Sequence, residues 1–184
     1  MKKHAINGFL LSLGLLLSMS GCASGEPRPP RAEGVRNFDR LNEGLYRGAQ
    51  PTELGIKTLA RLGVKTVINL RQTNDVWAWE EPAARQAGMT YTNVPMNSLE
   101  RPTDEQVALV LSLIETLPQP VFIHCKYGAD RTGTIIACYR IRHDKWSSDA
   151  ALLEANRHDM SPWESGMRDF VRDYGRRNEM PAPQ

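Results

Sequence analysis

Neither sign of charge dominates this sequence: 23 lysines and arginines stand against 21 aspartates and glutamates, for a net charge of +2. Composition therefore gives nucleic-acid binding no support, and a preference for anionic substrates has to come from a local site rather than a global field. Long apolar runs are also missing. The stretch Phe9 to Leu17 (FLLSLGLLL) is too short for a comfortable membrane span, which leaves a processing signal as its reading. No internal repeat is found, so repeat architectures drop out. Cysteine is scarce, with three in the chain, and each needs its own explanation.

What is present at the N-terminus fits the secretory pattern. Lys2 and Lys3 give a positive n-region, the apolar run follows, and small residues close it in SMSGCAS. Cys22 directly after Ser20 and Gly21 resembles a bacterial lipoprotein box, in which that cysteine becomes the lipidated first residue. Residues 1–21 are thus expected to be a signal peptide. The expected location is the bacterial cell envelope, anchored by lipid on Cys22 and facing the periplasm; ordinary cleavage to a soluble secreted or periplasmic form is the alternative. From Ala23 to Arg36 proline, glycine and charge prevail, so residues 22–36 read as a lipidated end and flexible linker. Residues 37–178 have the size of one domain, with 179–184 as a tail.

Within that domain, strand-like and helix-like stretches alternate. LYRGAQP reads as a strand and turn, and Thr52 caps a helix over ELGIKTLARLG with Leu54, Leu59 and Leu62 as its apolar positions. VKTVINLR is a buried strand, EEPAARQAG a short helix and MTYTNVPM another strand. Thr103 and Gln106 form a capping box that opens a helix through Leu117. VFIHC is continuously apolar until its end, as buried parallel strands are. Three more helical patterns follow. The order predicts an α/β fold in one domain, a central mostly parallel sheet flanked by helices on both faces.

The stretch VFIHCKYGADRTG carries the chemistry. A thiol is a nucleophile only when ionised, and a strand end that loops into a helix N-terminus surrounds it with backbone N–H groups and positive potential. Such settings lower a thiol pKa from about 8.5 to between about 3.5 and 7.5. Gly128 lets the backbone curl so that successive amides of the Lys126, Tyr127, Gly128 and Ala129 loop point inward as an anion site. Arg131 adds a planar fork for two phosphoryl oxygens. Thr132 can donate to the sulfur, and His124 can orient the loop from the strand side. Cys125, Arg131, Asp130 and Thr132 are the candidate catalytic residues; His124, Lys126, Tyr127, Gly128, Ala129 and Gly133 are candidate substrate-binding residues. Cys138 falls inside the following helix, about 10 Å or more from Cys125, too far for a bridge, and reads as a small core residue.

HCKYGADRTG matches the H-C-x-x-G-x-x-R-[ST]-G signature and so resembles the protein tyrosine and dual-specificity phosphatase superfamily. LYRGAQPT, KTVINLR and YTNVPM look like the atypical dual-specificity phosphatases of plants, fungi and bacteria, and the likeness spans about Phe38 to Asp159. Members of that group act on inositol phosphates or phosphoproteins. The resemblance implies a Cys125 phosphoenzyme hydrolysed by water, with no metal and no cofactor. A pseudophosphatase that binds a phosphoryl ligand without turnover is the rival reading, because the usual acid is missing. In many relatives an aspartate follows the proline equivalent to that in VPM, and here Asn97 and Ser98 stand there. Glu100, or Asp130 inside the loop (a D-R-T sequence that myotubularin-like phosphatases share), are the alternatives, as is no dedicated acid. Asp104 reads more simply as a first-turn carboxylate answering the helix dipole. Around the cleft, Arg71 at a strand end, Trp77, Trp79, Arg157 and His158 are weaker candidates, and Lys126 beside Arg131 favours a multiply phosphorylated substrate.

Overall fold

A computed structural model describes residues 32–178. Strands β1 (Asp39–Arg40), β2 (Leu45–Ala49), β3 (Thr66–Asn69), β4 (Thr90–Asn93) and β5 (Val121–Cys125) form one sheet in the order β1-β2-β5-β3-β4. Only the β1–β2 pair is antiparallel. Because the other strands run the same way, their C-terminal ends share one edge, where Ala49 pairs with Cys125 and Asn69 with His124. Open α/β sheets present their ligand sites along that edge.

Helices α1 (Glu53–Arg61) and α2 (Glu80–Gln86) cover one face; α3 (Asp104–Thr116), α4 (Asp130–Arg142), α5 (Ser148–Arg157) and α6 (Ser165–Asn178) cover the other. The two-sided cover is why β5 is apolar on every residue before His124: all five of its positions are buried. The Thr103–Gln106 capping box forms as the sequence predicts, at 3.2 Å and 3.0 Å. Helix α4 runs through the middle of its layer and buries Ile135, Ile136, Cys138 and Ile141. Fixing its first turn in place fixes the loop before it.

Two expectations need correction. The α1 stripe is not Leu54–Leu59–Leu62: Leu54 is 43% and Leu62 39% exposed, while Ile56 and Leu59 are buried. Leu54 sits about 140° around the helix from Leu59, too far to share its face. The linker is also shorter than residues 22–36. Ala32 and Val35 are buried against Tyr46 and Ile56, and the Arg36 carbonyl accepts from Ala49 N at 2.8 Å. Two small apolar residues and a few backbone bonds anchor a stretch whose composition alone looks unfoldable. Cys22, residues 1–31 and the tail 179–184 lie outside the described residues.

Candidate active site

Cys125 ends β5 and is 2% exposed; residues 126–129 loop over it before α4 begins at Asp130. Gly128 adopts φ +68, and a Cβ there would stand 2.4 Å from Gly48 C of β2. Only glycine permits both the left-handed turn and that close approach. The loop carbonyls are drawn away from the cavity. Gln50 N donates to Lys126 O at 3.3 Å, and Asn37 Nδ2 to Tyr127 O and Gly128 O at 3.3 and 3.2 Å. Arg47 Nη2 donates to Gly128 O at 2.6 Å. With the carbonyls so engaged, the amides of Tyr127, Gly128 and Ala129 make no hydrogen bond among the described residues. They form an anion cradle above the thiol.

A cavity of about 240 Å³ opens over this cradle. Cys125, Lys126, Tyr127, Asp130 and Arg131 line it, with Ser98, Leu99, Asp75 and Glu164 completing the walls. Arg131 is 5% exposed, and its Nη1 donates to Met96 O at 3.4 Å. Thr132 Oγ1 is buried without a hydrogen-bond partner among the described residues. A wider groove of about 620 Å³ continues from the cavity past Ala129, with Trp77 and Arg36 on its walls.

Several candidates sit elsewhere. His124 does not reach the cavity. It points behind the loop, with Nε2 2.9 Å from Glu80 Oε1, and both side chains are fully enclosed. Burial alone pushes the Glu80 carboxyl up, but the charge and hydrogen bond of His124, with hydrogen bonds from Gln50 and Tyr91, outweigh it. Glu80 is therefore held below the usual carboxylate range. Gly133 faces α5, where an added Cβ would meet Ala155 Cβ at 3.5 Å, so it packs helices rather than touching substrate. Glu100 and Arg157 are exposed and line neither hollow. Asp104 pairs with Arg177 at 2.6 Å. Arg71 is wholly committed to Asp75, at 2.7 Å, and to Gln50. Its guanidinium lies under Trp77, while Trp79 packs against the α1–α2 core. His158 joins the Asn37 clamp, its Nδ1 donating to Asn37 Oδ1 at 3.0 Å while Nε2 faces Asp39 at 3.2 Å. Asp130 keeps one oxygen on Ser161 N at 2.7 Å.

Sequence reading missed Arg47, Asn37, Glu80 and Glu164. Arg47 had a visible signal, a charge inside a strand buried at every position. Burial lowers its guanidinium pKa to about 10, with the charges of Glu154 and Cys125 opposing the fall, so it stays cationic beneath the loop. The other three come close only through long-range contacts.

A nucleophile-bearing loop between a parallel strand and a buried helix, with an arginine closing it, defines the cysteine-phosphatase type of α/β domain. Comparison places it further. The profile of the family described as "DSP-PTPase phosphatase fused to NAD+ Kinase" matches residues 31–173, and the chain belongs to that family. It is 36% identical over 135 residues to the dual specificity protein phosphatase TpbA of Pseudomonas aeruginosa, covering 72% of this chain and 59% of that protein. The chain thus spans somewhat over half the length of this curated relative. Inositol diphosphatase DSP3 of Arabidopsis thaliana is 24% identical over 147 residues, covering 73% and 68% of the two chains. Among solved structures, P. aeruginosa TpbA in complex with pTyr superposes with a TM-score of 0.65 at 30% identity, covering 74% of this chain and 83% of that one.

Proposed function

We propose that this protein is a cysteine-dependent phosphatase acting on phosphomonoesters or pyrophosphates. The carrying observation is that Cys125 and Arg131 share one small cavity with a row of unspent loop amides. The amides and the Arg131 fork hold three phosphoryl oxygens, and the Cys125 thiolate attacks phosphorus in line with the leaving oxygen. The unpartnered Thr132 hydroxyl is in the first turn of α4, where it can donate to the sulfur and steady it as nucleophile and as leaving group. Water then hydrolyses the phosphocysteine.

The relatives supply the substrate classes to try first: phosphotyrosine, after the TpbA complex, and inositol phosphates, after the plant diphosphatase. Lys126 on the cavity wall adds a cation for a further phosphate. The protein works in the bacterial envelope, tethered by lipid on Cys22 and facing the periplasm; the charged, apolar and Gly-Cys run of the N-terminus supports this. Phosphate release by the purified protein from p-nitrophenyl phosphate, a phosphotyrosine peptide and an inositol phosphate panel tests the reading, with Cys125→Ser beside it. Loss of release in Cys125→Ser is expected. Equal release by both proteins refutes the mechanism, and saturable binding with no release by either makes the protein a phosphoryl-binding module.

A further inference from the structure

Three carboxylates border the Cys125 cavity, and two of them are already engaged. Asp75 is bound by both Nε and Nη2 of Arg71, at 3.1 and 2.7 Å, and that hydrogen bonding holds its carboxyl below the ordinary range. It stays ionised and has no proton to give. Asp130 opens α4, and its Oδ1 is taken up by Ser161 N at 2.7 Å. Glu164 is different. Its side chain is half-buried and has no hydrogen bond or ion pair among the described residues.

The chain delivers Glu164 to this place by a defined route. Ser161 N docks on Asp130, Glu164 N bonds back to Ser161 O at 3.3 Å, and Arg168 N takes the Glu164 carbonyl at 3.1 Å to start α6. The turn 161–164 is therefore stapled to the first residue after the phosphate loop. Across the cavity, the place after Pro95 where the family resemblance implies an aspartate holds Asn97, whose Oδ1 is occupied by Leu99 N at 3.1 Å, and Ser98.

The geometry points to Glu164 as the general acid of the reaction, the group that protonates the leaving oxygen and later takes a proton from the attacking water. This inference rests on the cysteine-phosphatase reading and deepens it. In the first step the Cys125 Sγ–P bond forms as the P–O bond to the leaving group breaks; the electron pair goes to oxygen, and the Glu164 carboxyl supplies the proton. In the second, water adds to phosphorus, its proton passes to the Glu164 carboxylate, and the P–S electron pair returns to sulfur. Asp130 becomes a positioning residue, holding the turn and, by its own charge, helping Glu164 keep its proton. Partial burial raises the Glu164 pKa first, the Asp130 carboxylate raises it further, and the Arg131 guanidinium opposes both. Lys126 and the paired Asp75 are the other charges on the cavity walls.

Turnover of phenyl phosphate, a poor leaving group, and of p-nitrophenyl phosphate, a good one, by wild type, Glu164→Gln, Glu164→Asp and Cys125→Ser tests it. Glu164→Gln should lose about 100-fold in kcat on phenyl phosphate and less than about 10-fold on p-nitrophenyl phosphate. Its rate should also lose the decline that wild type shows as Glu164 deprotonates. Glu164→Asp should fall between, and vanadate should bind Glu164→Gln within about threefold of wild type, showing the loop intact. Equal losses on both substrates, or no loss, overturn the assignment of Glu164 and leave the phosphatase reading standing. Undiminished turnover by Cys125→Ser overturns both.

Discussion

His124 Nε2 and Glu80 Oε1 stand 2.9 Å apart, and neither atom has any other hydrogen-bond partner among the described residues. On its other side, His124 Nδ1 is 3.3 Å from the Cys125 carbonyl. These contacts fix the imidazole directly behind the nucleophile, and Asn69 and Tyr91 also donate to the Glu80 carboxylate, at 2.8 and 3.3 Å.

Glu80→Gln should therefore slow both catalysis and alkylation. Removing one member of a fully buried ion pair typically costs about 3 kcal/mol, or roughly 10 °C in Tm for a domain of this size. Beyond that loss, iodoacetamide labelling of Cys125 should slow several-fold, because His124 loses the carboxylate that fixes its ring behind the Cys125 carbonyl. A lower Tm with an unchanged labelling rate would reduce Glu80 to a structural residue.

The same pair sets an acid limit. Glu80 binds its proton less tightly in the folded state than in the unfolded one, so the unfolded chain takes up protons first as the pH drops. The stabilisation is complete above the unfolded value of about 4.3 and disappears as the pH falls through the lower folded value. Asp39, held down by the hydrogen bond from His158, adds to the effect in the same direction. Wild-type Tm should drop steeply below about pH 5, and Glu80→Gln should show a shallower drop over the same window. Parallel curves would remove Glu80 as the source.

How much of this was visible in the sequence follows from chain separation. Cys125, Arg131 and Thr132 fall within one continuous segment, so their spacing alone brings them together. Glu80 precedes His124 by over forty residues and reads as an ordinary first-turn carboxylate; nothing local reveals that β3–β5 pairing brings it under the loop. Asn37 is similar. It lies where composition suggested a tether's end, yet at φ 50 it turns its amide onto Tyr127, Gly128 and His158 carbonyls at once. Strand β1 has only two residues, too few for any periodicity to register.

Gly128→Ala and Gly63→Ala separate conformational strain from steric collision. Both glycines have positive φ, +68 and +84, but nothing among the described residues lies within 4 Å of a Cβ at Gly63. Gly63→Ala should cost only the left-handed penalty, about 1 kcal/mol. Gly128→Ala adds a clash with the rigid Gly48–Ala49 backbone, and overpacking of this kind costs about 1–3 kcal/mol more. Its vanadate affinity should also fall at least about 10-fold, since the amides can no longer converge. Comparable Tm losses in the two variants, with vanadate binding intact, would show that the loop relaxes freely.

Cys125 and Cys138 are both free, but their surroundings differ. Cys138 is fully enclosed in α4, and burial drives its thiol far above the ordinary range, so at neutral pH it is an unreactive core group. Cys125 borders the cavity, where peroxide can reach a sulfur surrounded by amides and Arg131. Oxidation should accordingly take Cys125 to sulfenic acid and, with no second thiol among the described residues positioned to capture it as a disulfide, onward to irreversible sulfinic acid. Peroxide should abolish activity, added thiol should restore it only if given early, and bound vanadate should protect. Cys138→Ala should leave the rate of inactivation unchanged while lowering Tm through the small cavity it creates. A Cys125–Cys138 disulfide in the oxidised protein would contradict this, because α4 would have to unwind from its core contacts to bring the two sulfurs together.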